Sequence, residues 1–380
     1  MAGGPRLHQT ASIGERRVGV TALLDELQRM IASEGPISVE RYMALCLGHP
    51  VHGYYVTRDP FGADGDFTTA PEISQMFGEL IGLWAAEVWG LTGAPRPVRL
   101  IELGPGRGTL IADFLRVARQ APGFVEAAEV HLVETSPILR ECQREKLAGS
   151  TGSIIWHARL YEIPSGPAII IANEFFDALP VRQFMRTERG WCERLVGLAD
   201  GKLAFGLASE PQAGLPPAGR AGDILEWPGA ALDLTREIAA RVMTEGGAAL
   251  LVDYGYSGPA FGDTLQAVKH HAFADPLAEP GDTDLTVHVD FARVAAAARD
   301  CGAVVHGPVP QGGFLRALGI DARATALQAR ASETQAADIE SALRRLTDEI
   351  PDAMGGLFKV LAIAHPTLSA LPGFPVPHGL

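Results

Sequence analysis

Ile101-Glu102-Leu103-Gly104-Pro105-Gly106-Arg107-Gly108-Thr109 decides how this chain is read. Val98 to Leu103 is an apolar run of strand length and Thr109 to Arg119 has helical spacing, so the glycines fall in the turn between strand and helix. Glycine supplies positive φ without steric cost and lets a ligand approach bare backbone. In open α/β sheets ligands sit outside the carboxyl ends of the strands, beside such a turn. A dinucleotide fingerprint would need glycines at 104, 106 and 109. The third glycine stands at 108 and Thr109 follows it, which disfavours a nicotinamide dehydrogenase.

Glu102, inside the strand just before the turn, sharpens the reading. A pyrophosphate favours a helix N-terminus free of carboxylates, whereas a ligand with a cationic amino-acid tail and a sulfonium gains from one. The next strand, Val130 to Val133, runs into Glu134-Thr135-Ser136. An acid there is placed to accept hydrogen bonds from both ribose hydroxyls of a nucleoside. The expected cofactor-binding residues are therefore Glu102, Gly104, Pro105, Gly106, Gly108, Glu134 and Thr135. No acid follows the third strand, Ile154 to His157, which leaves an adenine to His157 or to backbone.

Outward from the turn, strands and helices alternate. Pro137 to Leu147 reads as a helix, Ala168 to Ala172 as a fully apolar strand, Ala230 to Met243 as a helix, and Ala248 to Val252 and Phe358 to Ala364 as strands. Apolar strands separated by helices imply a parallel sheet covered on both faces. Alternating residues around Phe184, Cys192 to Val196 and Leu203 to Phe205, with a turn at Asp200-Gly201, predict a β-hairpin insertion on the sheet's edge. Upstream, Thr69-Ala70-Pro71-Glu72 reads as a capping box opening one long helix with the stripe Ile73, Met76, Phe77, Leu80, Ile81, Trp84 and Val88. Downstream, helices are expected at Phe291 to Cys301 and across Ala322 to Glu349. The expected division is a flexible terminus 1–20, a helical region 21–95, the core 96–255 with its insertion at about 181–228, a helical cap 256–350, and a final strand with tail 351–380.

Composition limits the partners. Apolar residues make up 47%, enough for a sizeable core. The net charge of −13 opposes nucleic acid, whose non-specific affinity rests on Lys and Arg. No apolar run reaches the ~18 residues of a membrane span. Cys46, Cys142, Cys192 and Cys301 form no C-x-x-C pair, and the His270-His271 pair lacks neighbours at ligand spacing, so no metal is expected.

The glycine turn, the acid upstream of it and the acid at the second strand together resemble class I S-adenosylmethionine-dependent methyltransferases, with a Rossmann-like sheet. Gly65-Asp66-Phe67-Thr68-Thr69-Ala70-Pro71-Glu72-Ile73-Ser74-Gln75-Met76-Phe77-Gly78-Glu79 is similar to the signature of the MidA-like family within them. So are Asn173-Glu174-Phe175-Phe176-Asp177-Ala178-Leu179-Pro180-Val181, Val252-Asp253-Tyr254-Gly255 and Asp284-Leu285-Thr286. That family includes the mitochondrial complex I assembly factor that methylates protein arginine. The resemblance implies S-adenosylmethionine as cofactor, a protein substrate such as a respiratory complex I subunit, and a cytoplasmic location in a bacterium or a mitochondrial one in a eukaryote. The alternative it leaves open is an assembly chaperone that keeps the methyltransferase fold.

Arginine methylation fixes what to look for. A guanidinium with a pKa above ~12 must be held by carboxylates that localise its charge. The fourth strand ends in Asn173-Glu174-Phe175-Phe176-Asp177 beside the glycine turn, which makes Glu174 the expected acceptor-facing carboxylate and Asp177 the second. Asp253 and Tyr254 are expected to line the acceptor pocket, and Asp66, Thr68 and Thr69 to close over the cofactor.

Overall fold

The alternation of apolar strand-length runs with amphipathic helices produces three layers, helix–sheet–helix. The computed structural model describes residues 21–58, 68–150, 152–258, 260–269, 272–351 and 353–375. The expected flexible terminus, Asp66 and the His270-His271 pair lie outside them.

Helices Ala22–Glu34 and Val39–Gly48 flank a short strand β1 (Ile37–Ser38), and the turns Tyr54–Thr57 and Ala70–Ile73 precede helix Gln75–Leu91. The core then begins with β2 (Val98–Leu103), helix Thr109–Ala118, β3 (Ala128–Val133), helix Pro137–Leu147, β4 (Ile154–His157) and β5 (Ala168–Asn173). An antiparallel excursion follows: β6 (Arg182–Thr187), β7 (Gly190–Ala199), β8 (Lys202–Pro211) and β9 (Ile224–Trp227). Helix Gly229–Glu245 returns the chain to β10 (Gly247–Tyr256). Beyond lie β11 (Gln266–Lys269), β12 (Ala272–Ala274), β13 (Asp284–Thr286), β14 (Val289–Asp290), helix Phe291–Asp300 and β15 (Val304–Pro310). Helices Gln311–Ala317, Ile320–Gln328, Glu333–Thr347 and Met354–Leu357 lead to β16 (Phe358–Ala364).

The main sheet runs β15-β16-β10-β5-β2-β3-β4, with β14 beside β10. From β10 to β4 neighbours are parallel, and β16 lies antiparallel between β10 and β15. Alternate residues of one strand serve opposite faces. Leu100, Ile169 and Leu250 pack under Gln75–Leu91 and Thr109–Ala118. Ile101, Ile170 and Leu251 pack under Gly229–Glu245 and Phe291–Asp300. From β2 the chain moves outward through β3 to β4, then crosses back to β5 on the other side of β2. This reversal opens a crevice past the carboxyl ends of β2 and β5, where such sheets bind ligands.

Three expectations need correction. The insertion does not extend the main sheet's edge; β6 to β9 and β1 form a sheet of their own, ordered β1-β7-β6-β9 with β8 on β7. The alternation and the Asp200-Gly201 turn, both at positive φ as a tight hairpin demands, are as read. The partner strand is not, because Ile37 pairs with Val196 from far upstream and apolar burial with Leu27 and Tyr42 holds it there. The long capped helix is broken at Ser74, whose extended backbone ends the Ala70–Ile73 turn and whose hydroxyl caps the next helix. Thr69 makes no capping bond, and Glu72 accepts the hydroxyl of Thr109 instead of reaching back to the cap. The region 256–350 is not wholly helical: β11 to β13 form a three-stranded sheet and β15 joins the main one. The helix expected across 322–349 splits where Ser332 and Gln335 form a true capping box.

Helix Gln75–Leu91 reaches the core helix Thr109–Ala118 through glycine. A Cβ on Gly78 would lie 2.8 Å from Asp113 Cβ, and one on Gly82 would lie 2.9 Å from the Phe114 carbonyl oxygen. Backbone cannot yield as a side-chain tip can, so Gly82→Ala should lower Tm. Overpacking costs about 1–3 kcal/mol, against the ~1 kcal/mol that alanine gains over glycine in a helix. Gly90→Ala, on the same helix with open space around its Cβ, should hold or raise Tm; equal behaviour of the two variants in thermal unfolding would refute the close-contact account.

Candidate active site

The glycine bend leaves β2 exactly where the crevice opens. Gly104, Gly106 and Gly108 have φ of +61°, +53° and +79°, values that side chains rarely tolerate. A Cβ at Gly104 would come within 2.5 Å of the Phe175 ring. The bend is pinned at both ends, by the Gly104 N–H to the Val133 carbonyl at 3.0 Å and the Gly108 N–H to the Pro105 carbonyl at 2.7 Å. Around it lies a pocket of about 380 Å³, part of it open to solvent, walled by Glu102, Gly104, Pro105, Gly106, Asn173 and Glu174. Thr69, Pro71 and Glu72 add to the wall from the upstream turn, and Arg107, Thr109 and Leu110 from the bend and its helix.

Glu102 is 3% exposed, and its Oε2 has no hydrogen-bond partner among the described residues. Burial pushes its carboxyl up to about 8. A buried acceptor without a donor costs free energy unless a ligand completes it. Across the pocket Glu174 stands at positive φ, +48°, an uncommon conformation for a non-glycine residue. Its N–H donates to the Val252 carbonyl at 2.9 Å, and its Oε1 accepts the Ala70 N–H at 2.8 Å and the Asn173 amide at 3.3 Å. Both side-chain partners are neutral donors. Burial pushes the Glu174 carboxyl up to about 8.

The other expected residues are placed differently. Glu134 ends β3 and is buried; its Oε1 accepts the Ser136 N–H at 2.7 Å and its Oε2 the Gln143 amide at 3.4 Å. Burial raises its carboxyl, and the Ser136 and Thr135 N–H groups work against that rise. Thr135 is exposed at the rim, while Gly108 opens the helix Thr109–Ala118. Asp177 does not face the pocket with Glu174. It is buried behind it, with Oδ1 unpartnered and its carboxyl raised by burial, which Tyr254 partly offsets. Asp253 is likewise not a pocket wall. Its Oδ2 accepts three successive N–H groups, Phe175 at 3.1 Å, Phe176 at 2.9 Å and Asp177 at 3.2 Å, and so fixes the turn that carries Glu174. Phe176 is core packing, and Phe175 covers the glycine bend.

Two roles lie outside the sequence reading: Glu72, expected as half of a capping box, forms a bridge, and Gln143 belongs to no motif. Glu72 ties the upstream turn to the first core helix through Thr109, and Lys146 Nζ donates to the same hydroxyl at 2.6 Å. Gln143 touches both Glu134 and the Gly106 carbonyl. Gln143 at its position carries no signal that distinguishes it from ordinary helix surface.

The residues fit a cationic nucleoside cofactor on their own chemistry: an orphaned buried carboxylate at Glu102, bare backbone at the bend, and an acid at Glu134. The profile of a family described as S-adenosyl-L-methionine-dependent methyltransferases matches residues 80–309, more than half the chain. The mitochondrial protein arginine methyltransferase NDUFAF7 of Danio rerio is 38% identical over 369 residues, covering 90% of this chain and 86% of that protein. Its Homo sapiens counterpart is 39% identical over 341 residues, covering 83% and 77%. A Burkholderia thailandensis protein crystallised with S-adenosyl-homocysteine bound is 30% identical, with a TM-score of 0.80, over 93% of this chain and 94% of that one. This chain belongs to the family of S-adenosyl-L-methionine-dependent methyltransferases.

Proposed function

We propose that this methyltransferase modifies arginine side chains of a protein substrate, with the guanidinium entering beside Glu174. S-adenosylmethionine, when bound, supplies an electrophilic methyl group on a sulfonium. Glu102 would pair with the cationic amino-acid tail, Gly104, Pro105, Gly106 and Gly108 would present backbone to it, and Glu134 with Thr135 would receive the ribose. The observation that carries the acceptor reading is Glu174, a carboxylate at the end of β5 that shares the pocket with the glycine bend and has neutral hydrogen-bond partners only.

Methyl transfer is a displacement in which positioning contributes much of the rate. A guanidinium keeps its proton far above neutral pH, so an ionised Glu174 would hold its planar fork and concentrate charge away from the reacting nitrogen. Asp177, behind Glu174, would act on the acceptor carboxylate through its charge, which favours the protonated form of Glu174. Helix Glu333–Thr347 packs against the Ala70–Ile73 turn, so the upstream and C-terminal helices would together form the cap on the acceptor side. The acidic surface argues against nucleic acid as acceptor. We take a respiratory complex I subunit as the acceptor protein, and a bacterial cytoplasm as the setting, on the family resemblance.

Isothermal calorimetry tests the cofactor site. The wild type should bind S-adenosylhomocysteine, and Gly106→Val, which fills the bend, should abolish the heat while circular dichroism stays unchanged. Retained affinity in that variant would displace the ligand from the bend. Turnover tests the acceptor site with labelled cofactor and an arginine peptide. Glu174→Gln should keep cofactor affinity and lose about 10²–10⁴-fold in rate. Because the Glu174 carboxyl is raised to about 8, it is neutral at lower pH, so kcat/KM should climb with pH and level off above that value. A profile flat from pH 6 to 9, or a Gln variant at wild-type rate, would remove Glu174 from the reaction.

A further inference from the structure

Gln143 lies on helix Pro137–Leu147, outside every motif singled out above, and is 0% exposed. A buried amide costs free energy unless its donors and acceptor are matched. Here they are. Nε2 donates to the Gly106 carbonyl at 2.7 Å and to Glu134 Oε2 at 3.4 Å, and Oε1 accepts the Trp156 indole N–H at 2.8 Å. The indole nitrogen is a donor only, so the amide oxygen must face Trp156 and both amide hydrogens must face the two acceptors. The orientation is thus fixed by chemistry. The Arg144 guanidinium lies over the Trp156 ring, 5.3 Å from its centroid.

These three bonds join the glycine bend, the end of β3 and β4 through one side chain. The Gly106 carbonyl is held while that residue sits at φ +53°. The Glu134 carboxylate is clamped from two sides, with the Ser136 N–H on Oε1 and Gln143 on Oε2. A carboxylate accepts about four hydrogen bonds, so both oxygens keep capacity for further donors. With its rotation stopped, their directions are set before any ligand arrives. We propose that Gln143 is a positioning residue for the nucleoside half of the cofactor, aiming Glu134 so that it discriminates a ribose by its hydroxyls. The proposal rests on the reading of Glu134 as the ribose acceptor.

A general loosening of the fold would weaken every ligand alike, whereas loss of aim at Glu134 weakens only discrimination at the sugar. Calorimetry therefore compares S-adenosylhomocysteine with its 2′-deoxyribose counterpart and with 5′-methylthioadenosine, which lacks the amino-acid tail. The wild type should prefer the ribose ligand over the deoxy one by about tenfold or more, the worth of a hydrogen bond to a charged acceptor. Gln143→Met, of matching length but with no amide, should reduce that preference to about twofold or less. The ratio of S-adenosylhomocysteine to methylthioadenosine affinities should fall by a clearly smaller factor, because the Gly106 carbonyl loses its donor as well. Trp156→Phe, which removes the N–H that orients the amide together with part of the ring, serves as the second variant should Gln143→Met fail to fold; it should lower the same preference in part. A wild type indifferent to the 2′-hydroxyl would overturn the ribose reading of Glu134 and the proposal with it. A wild type that discriminates, with variants that still do, would overturn the role of Gln143 alone. Erosion of the tail ratio as large as that of the ribose preference would also overturn it, by showing a merely structural role.

Discussion

One carboxylate oxygen carries the geometry of the acceptor side. Asp253 Oδ2 gathers the N–H groups of Phe175, Phe176 and Asp177, three donors that the end of β5 would otherwise bury without partners. With those donors anchored, the preceding residue has little freedom, and Glu174 is held in the left-handed region, a conformation that persists only where its surroundings over-determine it. The same turn places Phe175 against Gly104 and puts Asp177 behind Glu174. Position at this edge is therefore set by β10, the neighbouring strand, and not by the β5 segment itself.

The upstream region is joined to this arrangement by polar bonds as much as by packing. The Ala70 N–H, unsatisfied at the start of a four-residue helical turn, finds the Glu174 carboxylate. Two residues on, Glu72 reaches Thr109 at the start of the helix that follows the glycine bend. The turn thus spans the two lips of the crevice, one bond to each, and supplies part of the pocket wall. The glycine-mediated contact of the next helix with Thr109–Ala118 keeps that span short. Glu79, buried between Arg116 and Arg323, extends the tie to the C-terminal helices. The burial of Glu79 works against its charge, and the two guanidinium groups overcome this and hold its carboxyl below the usual range.

The sequence exposed what local periodicity and local sterics determine. Alternating strands and helices around β2 to β5 and β10, the glycine bend and Glu102 follow from short-range pattern, because each is fixed within a few residues; the same pattern puts Glu174 at the end of β5, but its conformation there is set from β10 by Asp253. Pairings that depend on distant segments did not show. The partner of β7 comes from Ile37 and Ser38, more than a hundred positions upstream. Strand β15, Val304 to Pro310, contains Gly307, Pro308 and Pro310 and so carries a loop's composition; it holds its place only through an irregular ladder with β16. Gln143 as a functional part, and Asp253 as the anchor of the β5 turn where a pocket wall was expected, were illegible for a different reason. Their roles lie in which atoms meet across the crevice, and a lone amide on an amphipathic helix has the same sequence context whether it faces water or a buried carboxylate.

The charge state of the crevice links stability to selectivity. Glu102 and Glu174 both have carboxyls raised by burial to about 8, against about 4.3 for glutamate in an unfolded chain. The unfolded chain therefore gives up these protons first, and folding stability from this pair falls as pH rises from the lower value to the higher. At neutral pH the two groups favour their neutral forms until a cation pairs with them. A positively charged ligand restores what burial took away, and a neutral one does not. The site is thus costly to fold in the manner that favours a sulfonium amino acid on one wall and a guanidinium on the other, and the destabilisation is itself the source of the preference.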